Sequence, residues 1–143
     1  MTTPAMFHFS FPVNDVERAR AFYTGVLGCT EGRKLPGRVD FNFYGHHLVG
    51  HLEPEAEEFG GESKIGPSGH AKMPLRHFGV IVSLEEFDEI AARLKAGNAE
   101  FLIEPKMMDV GKPREQKAMA CKDGCGNALE FKGMANTDNI FVG

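Results

Sequence analysis

A chain of 143 residues with 42% apolar and 25% charged residues can bury a core as one ordinary domain or as two small modules sharing an interior. Its formal charge of -4 leaves no basic surface for neutralising phosphates, which excludes general nucleic-acid binding and points to a small-molecule partner. No apolar run approaches the ~20 residues that cross a bilayer, so no membrane partner is expected. The N-terminus Met1-Thr2-Thr3-Pro4-Ala5-Met6 lacks the basic-then-apolar order of a signal peptide, so a cytoplasmic location is expected. Cys29, Cys121 and Cys125 are an odd set and are expected as free thiols. The C-x3-C spacing of the last two, with no second Cys or His pair nearby, does not make a structural zinc site.

The first element is a strand, His8 to Val13. Phe7, Phe9 and Phe11 alternate onto one face and His8, Ser10 and Pro12 onto the other. Asn14 with Glu17 three positions on predicts a capped helix, in which Val16, Ala19, Phe22, Tyr23, Val26 and Leu27 form the apolar stripe and Gly28 the stop. Cys29 to Arg33 predicts a short strand and Leu35-Pro36-Gly37 a turn. Arg38 to Tyr44 alternates again, with Val39, Phe41 and Phe43 on one face. Gly45 breaks that strand, and His46 to Leu52 predicts a fourth.

Residues 53 to 74 are rich in Glu, Gly, Ser and Pro and have no periodicity, which predicts a connection or a lid. Beyond it Leu75 to Val82 repeats the opening strand, with Phe78, Val80 and Val82 as the apolar face and His77 in the place of His8. Ser83-Leu84-Glu85-Glu86 is a capping box, Leu84, Phe87, Ile90, Ala91 and Leu94 form the stripe, and Gly97 ends the helix. The offset of 69 holds from His8 and His77 through Gly28 and Gly97, the mark of an internal repeat. Strands are predicted over Glu100 to Glu104, Lys117 to Lys122 and Asn127 to Lys132, with a loop from Pro105 to Gln116 and a turn at Asp123-Gly124-Cys125-Gly126. The reading is an α+β fold of two tandem βαβββ modules, 1–53 and 75–133, joined by a linker over 54–74 and followed by a tail over 134–143. About ten extra residues fall in the 105–116 loop. Allowing for them, an offset of 79 places His51 on Glu130.

Alternation then puts His8, His51, His77 and Glu130 on the faces opposite the apolar layers, where curved sheets can bring four ligands around one metal. Glu130, in the otherwise apolar Ala128-Leu129-Glu130-Phe131, needs a partner if buried, and a cation suits it. His46 and His70 fit no such symmetry; His47 shares the face of His51 and is a candidate for orienting a ligand. Asp40, Asn42 and Tyr44 are candidates for lining the pocket. Lys112, Arg114, Glu115 and Gln116 occupy the inserted loop, where Arg114 could receive an acidic substrate. Tyr23 is expected at the helix interface, and Ile140 and Phe141 of the tail against a pocket or a partner.

Ala21-Phe22-Tyr23-Thr24-Gly25-Val26-Leu27-Gly28 and Asp123-Gly124-Cys125-Gly126-Asn127-Ala128-Leu129-Glu130-Phe131, with the His8 and His77 strands, resemble the vicinal oxygen chelate superfamily. That group includes glyoxalase I, extradiol dioxygenases and bleomycin-resistance proteins. The resemblance implies curved mixed sheets around a metal-binding cup, with His8, His51, His77 and Glu130 as ligands of a divalent ion and Glu130 also as the catalytic group. It implies a homodimer. Glyoxalase I usually carries a carboxylate where this chain has His51, whereas His8, His77 and Glu130 resemble the dioxygenase set, so Fe2+ is favoured over Zn2+, Ni2+ or Mn2+. The expected activity is a dioxygenase-like reaction on a small oxygen-chelating substrate. A glyoxalase-like isomerase or lyase is one alternative, and a non-catalytic antibiotic-binding protein is the other.

Overall fold

The computed structural model describes residues 4–61 and 73–142. Its elements are β1 (His8–Val13), α1 (Val16–Ala19) continuing as a π-helix over Arg20–Val26, β2 (Thr30–Leu35), β3 (Arg38–Phe43), β4 (His46–Leu52), β5 (Ile81–Val82), α2 (Leu84–Ala96), β6 (Phe101–Met108), β7 (Gln116–Lys122) and β8 (Ala128–Gly133). Two four-stranded mixed sheets result, ordered β1-β4-β3-β2 and β5-β8-β7-β6. This is the predicted α+β fold with one sheet from each half of the chain. No helix among the described residues is long and apolar enough to cross a membrane.

Local chemistry explains most boundaries. Asp15, not Asn14, caps the first helix, its Oδ1 accepting from Arg18 N at 3.0 Å. The helix then widens to π geometry, with Leu27 N donating to Phe22 O at 3.0 Å. Adjacent Phe22 and Tyr23 are both buried there, at 7% and 0% exposure. Ser83 caps α2 through Glu86 N at 3.1 Å, as its sequence predicts.

Two expectations need correction. The strand predicted from Leu75 shrinks to Ile81–Val82 plus a single bridge from Phe78 to Leu129. The loop predicted from Pro105 begins four residues later, because β6 continues to Met108. The tail carries a turn of 3-10 helix over Thr137–Phe141, started by Asn136. Residues 62–72 of the linker, including His70, lie outside the described residues; the part before them makes a tight turn over Glu58–Gly61 that buries Phe59.

The two sheets share one core and pack through their apolar faces. Phe78 lies 5.0 Å from Phe9, 5.3 Å from Phe11 and 5.8 Å from Phe43, and Phe43 lies 6.4 Å from Phe131. The fully buried Phe11, Phe43 and Phe131 each contribute on the order of 1.5–3 kcal/mol, and the partly buried Phe9 and Phe78 less. Polar clasps fix the docking: Tyr23 OH donates to Asp123 Oδ2 at 2.7 Å, Asn127 Nδ2 to Pro12 O at 2.9 Å and Arg93 Nη1 to Leu27 O at 2.8 Å. Since side chains alternate along a strand, the faces bearing His8 and His77 turn away from this common core.

Candidate functional site

In the second sheet His77 and Glu130 meet, with Nε2 and Oε1 3.5 Å apart and Lys132 Nζ 3.9 Å from the same oxygen. The other ring nitrogen, Nδ1, lies 2.7 Å from Pro74 O. A carbonyl only accepts, so Nδ1 carries the hydrogen, and in the neutral ring the bare Nε2 faces the carboxylate. Two acceptors at that distance call for a cation between them. A proton is one such cation: the hydrogen bond to Glu130 holds His77 above the usual histidine range, against burial. A divalent ion would fill the same place, and the carbonyl behind the ring orients it as a ligand. On the same face Ala118, Ala120 and Ala128 are buried, and the cavity that opens on the pair, about 210 Å³, is lined by His77, Gly79, Ile81, Glu130 and Lys132.

In the first sheet His8 makes a different set of contacts. Its Nδ1 lies 2.9 Å from Nδ1 of His47, with the rings stacked at 4.9 Å. His47 Nε2 lies 3.2 Å from Asp40 Oδ2, which also accepts from Arg33 Nε at 3.0 Å. The β2–β3 register slips between Glu31 and Lys34, and this bulge sends Arg33 to Asp40. Gly32 faces Asp40 closely, since a Cβ there would lie 3.3 Å from Asp40 Cβ. Arg33 and Gly32 were not singled out from the sequence; a bulge leaves no signal in an alternating pattern.

The ladders also correct the repeat. Phe9 pairs with Leu48, and Phe78, its equivalent at offset 69, bridges to Leu129; Leu48 and Leu129 differ by 81, not 79. Glu130 therefore corresponds to Val49, and His51 to Lys132. His51 sits opposite Pro12 and Arg38, while His8 sits opposite His47. Four residues of strand separate the two histidines' registers, about 13 Å at 3.3 Å per residue. The structure thus brings His77 to Glu130, gives His8 to His47, and does not bring His51 to either.

The weaker candidates divide. Asp40 is buried on the His8 face, and Asn42 shares that face but is spent on the turn, its Oδ1 accepting from Gly45 N at 2.8 Å. Tyr44 was expected to line the cup, but it packs into the shared core, 6.3 Å from Phe131, because the β3–β4 turn gives it a φ of 52°. Arg114 lies in the loop beyond Gln116, whereas Glu130 pairs with Ala120, again about 13 Å away along the strand. His46 accepts from Phe7 N at 3.1 Å and extends the β1–β4 ladder. Among the described residues no three His, Cys, Asp or Glu side chains converge, so His8 does not join His77 and Glu130. A cavity of about 380 Å³ runs between β1 and the His77 segment, lined by Phe7, Ser10, Pro12, His77 and Ala128 but not by His8. A second, of about 480 Å³, lies near Arg18 and Phe22 and contains no candidate ligand.

Residues 5–131 match the model of the Glyoxalase/Bleomycin resistance protein/Dioxygenase superfamily. Among curated proteins none matches. A glyoxalase/bleomycin resistance protein/dioxygenase from Alicyclobacillus acidocaldarius is 27% identical, with 96% of each chain covered and a TM-score of 0.77. A variant of the fosfomycin resistance protein FosX from Listeria monocytogenes, solved with Mn(II) and 1S,2S-dihydroxypropylphosphonic acid, is 15% identical over 98% of each chain, with a TM-score of 0.69. Lactoylglutathione lyase from Agrobacterium tumefaciens is 20% identical over 100% of each chain, with a TM-score of 0.65. At these last two identities the likeness is one of fold.

Proposed function

The chain belongs to the glyoxalase/bleomycin resistance protein/dioxygenase superfamily, and on that premise we propose a divalent-metal enzyme acting, dioxygenase-like, on a small substrate with two adjacent oxygens. The observation that carries the reading is Nε2 of His77 held 3.5 Å from Glu130 Oε1 while Nδ1 is taken by the Pro74 carbonyl, with apolar Val49 at the repeat-equivalent corner. His77 and Glu130 from one half and His8 from the other form a two-histidine, one-carboxylate set, which suits iron(II) and leaves coordination positions open. A bound ion of this kind supplies Lewis-acid polarisation of the chelated oxygens, and iron(II) adds dioxygen chemistry. Glu130 anchors the ion's charge, the cavity of about 210 Å³ beside it admits the substrate, and Lys132 sets a positive charge beside an anionic oxygen. Because His8 does not meet His77 and Glu130 within one chain, the reading includes a homodimer in which His8 of one protomer approaches the His77–Glu130 pair of its partner.

A glyoxalase-like reaction is less well served, because Val49 offers no second carboxylate to move a substrate proton. The deciding experiment is metal analysis of untagged protein followed by oxygen-uptake assays with catechols. The expected result is stoichiometric iron and catechol-dependent oxygen uptake, abolished by Glu130→Ala. Nickel or zinc with turnover of a thiol–aldehyde adduct and no oxygen uptake would replace the reading with an isomerase or lyase. Ligand binding that survives both His8→Ala and Glu130→Ala without metal would make the cup a binding site.

A further inference from the structure

The repeat supplies an internal comparison. Asp40 pairs with Val49 as Ala120 pairs with Glu130, and His47 pairs with His8 where Ala128 takes the equivalent register beside His77. The fold is therefore content with two alanines where the first half keeps a buried carboxylate and a histidine. Keeping Asp40 has a cost, since it is 5% exposed and its Oδ1 has no hydrogen-bond partner. Neither residue joins the shared core.

We propose that Asp40 and His47 are positioning residues that fix the tautomer and ring orientation of His8, so that His8 presents an Nε2 lone pair to a divalent metal. The geometry allows one assignment for a neutral pair of rings. Asp40, clamped by Arg33, is an acceptor, so the hydrogen of His47 is on Nε2. His47 Nδ1 is then an acceptor, and the only donor that the 2.9 Å contact can use is Nδ1–H of His8. His8 is left with its hydrogen on Nδ1 and a bare Nε2, whose nearest recorded neighbour is Ser10 Oγ at 3.5 Å. In the second half the neutral ring of His77 takes the same tautomer by a different route, the Pro74 carbonyl on Nδ1. Both imidazoles are thus held as Nε2 donors, one by a carbonyl and the other by a carboxylate acting through a second ring.

This inference rests on the metal reading, and its test separates the two. Mn2+ alone is titrated by calorimetry into wild type, Asp40→Asn, the double variant Asp40→Ala/His47→Ala, and His8→Ala. Ring-nitrogen NMR of 15N-histidine-labelled, metal-free protein reports the tautomer of His8. The double variant copies the alanines of the other half, so it is expected to fold even where Asp40→Asn does not. Support is an Mn2+ affinity lower by about 10–100-fold in the double variant, together with loss of the Nδ1–H tautomer of His8. Wild-type affinity in the double variant, or an unchanged His8 tautomer, overturns the positioning role. Wild-type affinity in His8→Ala as well would instead overturn the metal reading.

Discussion

At the scale of single residues the ladder decides between His51 and Val49. An offset of 79 and one of 81 differ by two residues, so both put the right face of β4 outward, and alternation alone cannot tell them apart. Pairing can: β3 matches β7 at 80, since Phe41 lies opposite Leu48 and Cys121 opposite Leu129, and single-residue differences on either side of the long β6–β7 hairpin add to its ten. The sequence thus shows the histidines and Glu130 but hides which position of β4 completes their set. Isothermal titration with Mn2+ should find His51→Ala unchanged and Glu130→Ala severely weakened; equal losses in the two would restore His51 to the site. Asp40 gives a pH prediction. Burial alone would raise its pKa, but hydrogen bonds from His47 and Arg33 outweigh that and hold it below the usual carboxylate range. A carboxyl whose folded pKa is depressed stabilises fully above its unfolded value of about 3.9 and loses that contribution as pH falls through the folded value. Urea midpoints at neutral pH and on acidification should therefore fall further for wild type than for Asp40→Asn over that window. A parallel decline would mean that Asp40 is not ionised in the folded state.

At the scale of elements, strands and helices with a plain period are legible, and those shaped by tertiary contacts are not. His8–Val13, His46–Leu52 and the Ser83-capped helix follow their sequence patterns to within a residue. The strand around His77 does not, because its ladder to β8 is sparse, and its Gly79 packs so closely on Glu130 that a Cβ would collide with the Glu130 carbonyl oxygen. Alternation in a sequence records faces, not how many rungs a partner strand will supply. The π-helix is similarly invisible, since it answers to two aromatic rings that both need the core. Tyr23 in that segment reaches across to Asp123, which also accepts from Cys125 N at 2.7 Å and Asn127 N at 3.0 Å and so organises the β7–β8 turn. Tyr23→Phe keeps the ring packing and removes one buried hydrogen bond to that carboxyl, at a cost of about 1–3 kcal/mol. Urea unfolding followed by circular dichroism would measure it. A loss near zero would show that Asn127 Nδ2, 2.9 Å from the same oxygen, compensates fully.

At the scale of the whole molecule, two modules with one apolar face each can dock in more than one way, and both faces look alike in sequence. Packing through the phenylalanine faces consumes the surfaces that the repeat makes equivalent and leaves each histidine outside the shared core. The strands nearest those histidines, β1 and β5, are both sheet edges. Along them Met6, Phe7 and Ile81 are 69%, 60% and 39% exposed, an apolar margin suited to covering by another chain. If His8 of one protomer completes the His77–Glu130 pair of the other, the two lesions complement. His8→Ala and Glu130→Ala homodimers each lack every intact site, but a mixed dimer places both lesions in one site and leaves the other whole. Random exchange of subunits, by unfolding and refolding equal amounts together, should recover about a quarter of the wild-type tight Mn2+ sites, because half the dimers are mixed and each carries one good site of two. Counting bound Mn2+ by electron paramagnetic resonance checks this without knowledge of the substrate. A mixture that binds no more than its parents would place all three ligands in one chain, and the protomer would then have to open its phenylalanine core to bring His8 and His77 together.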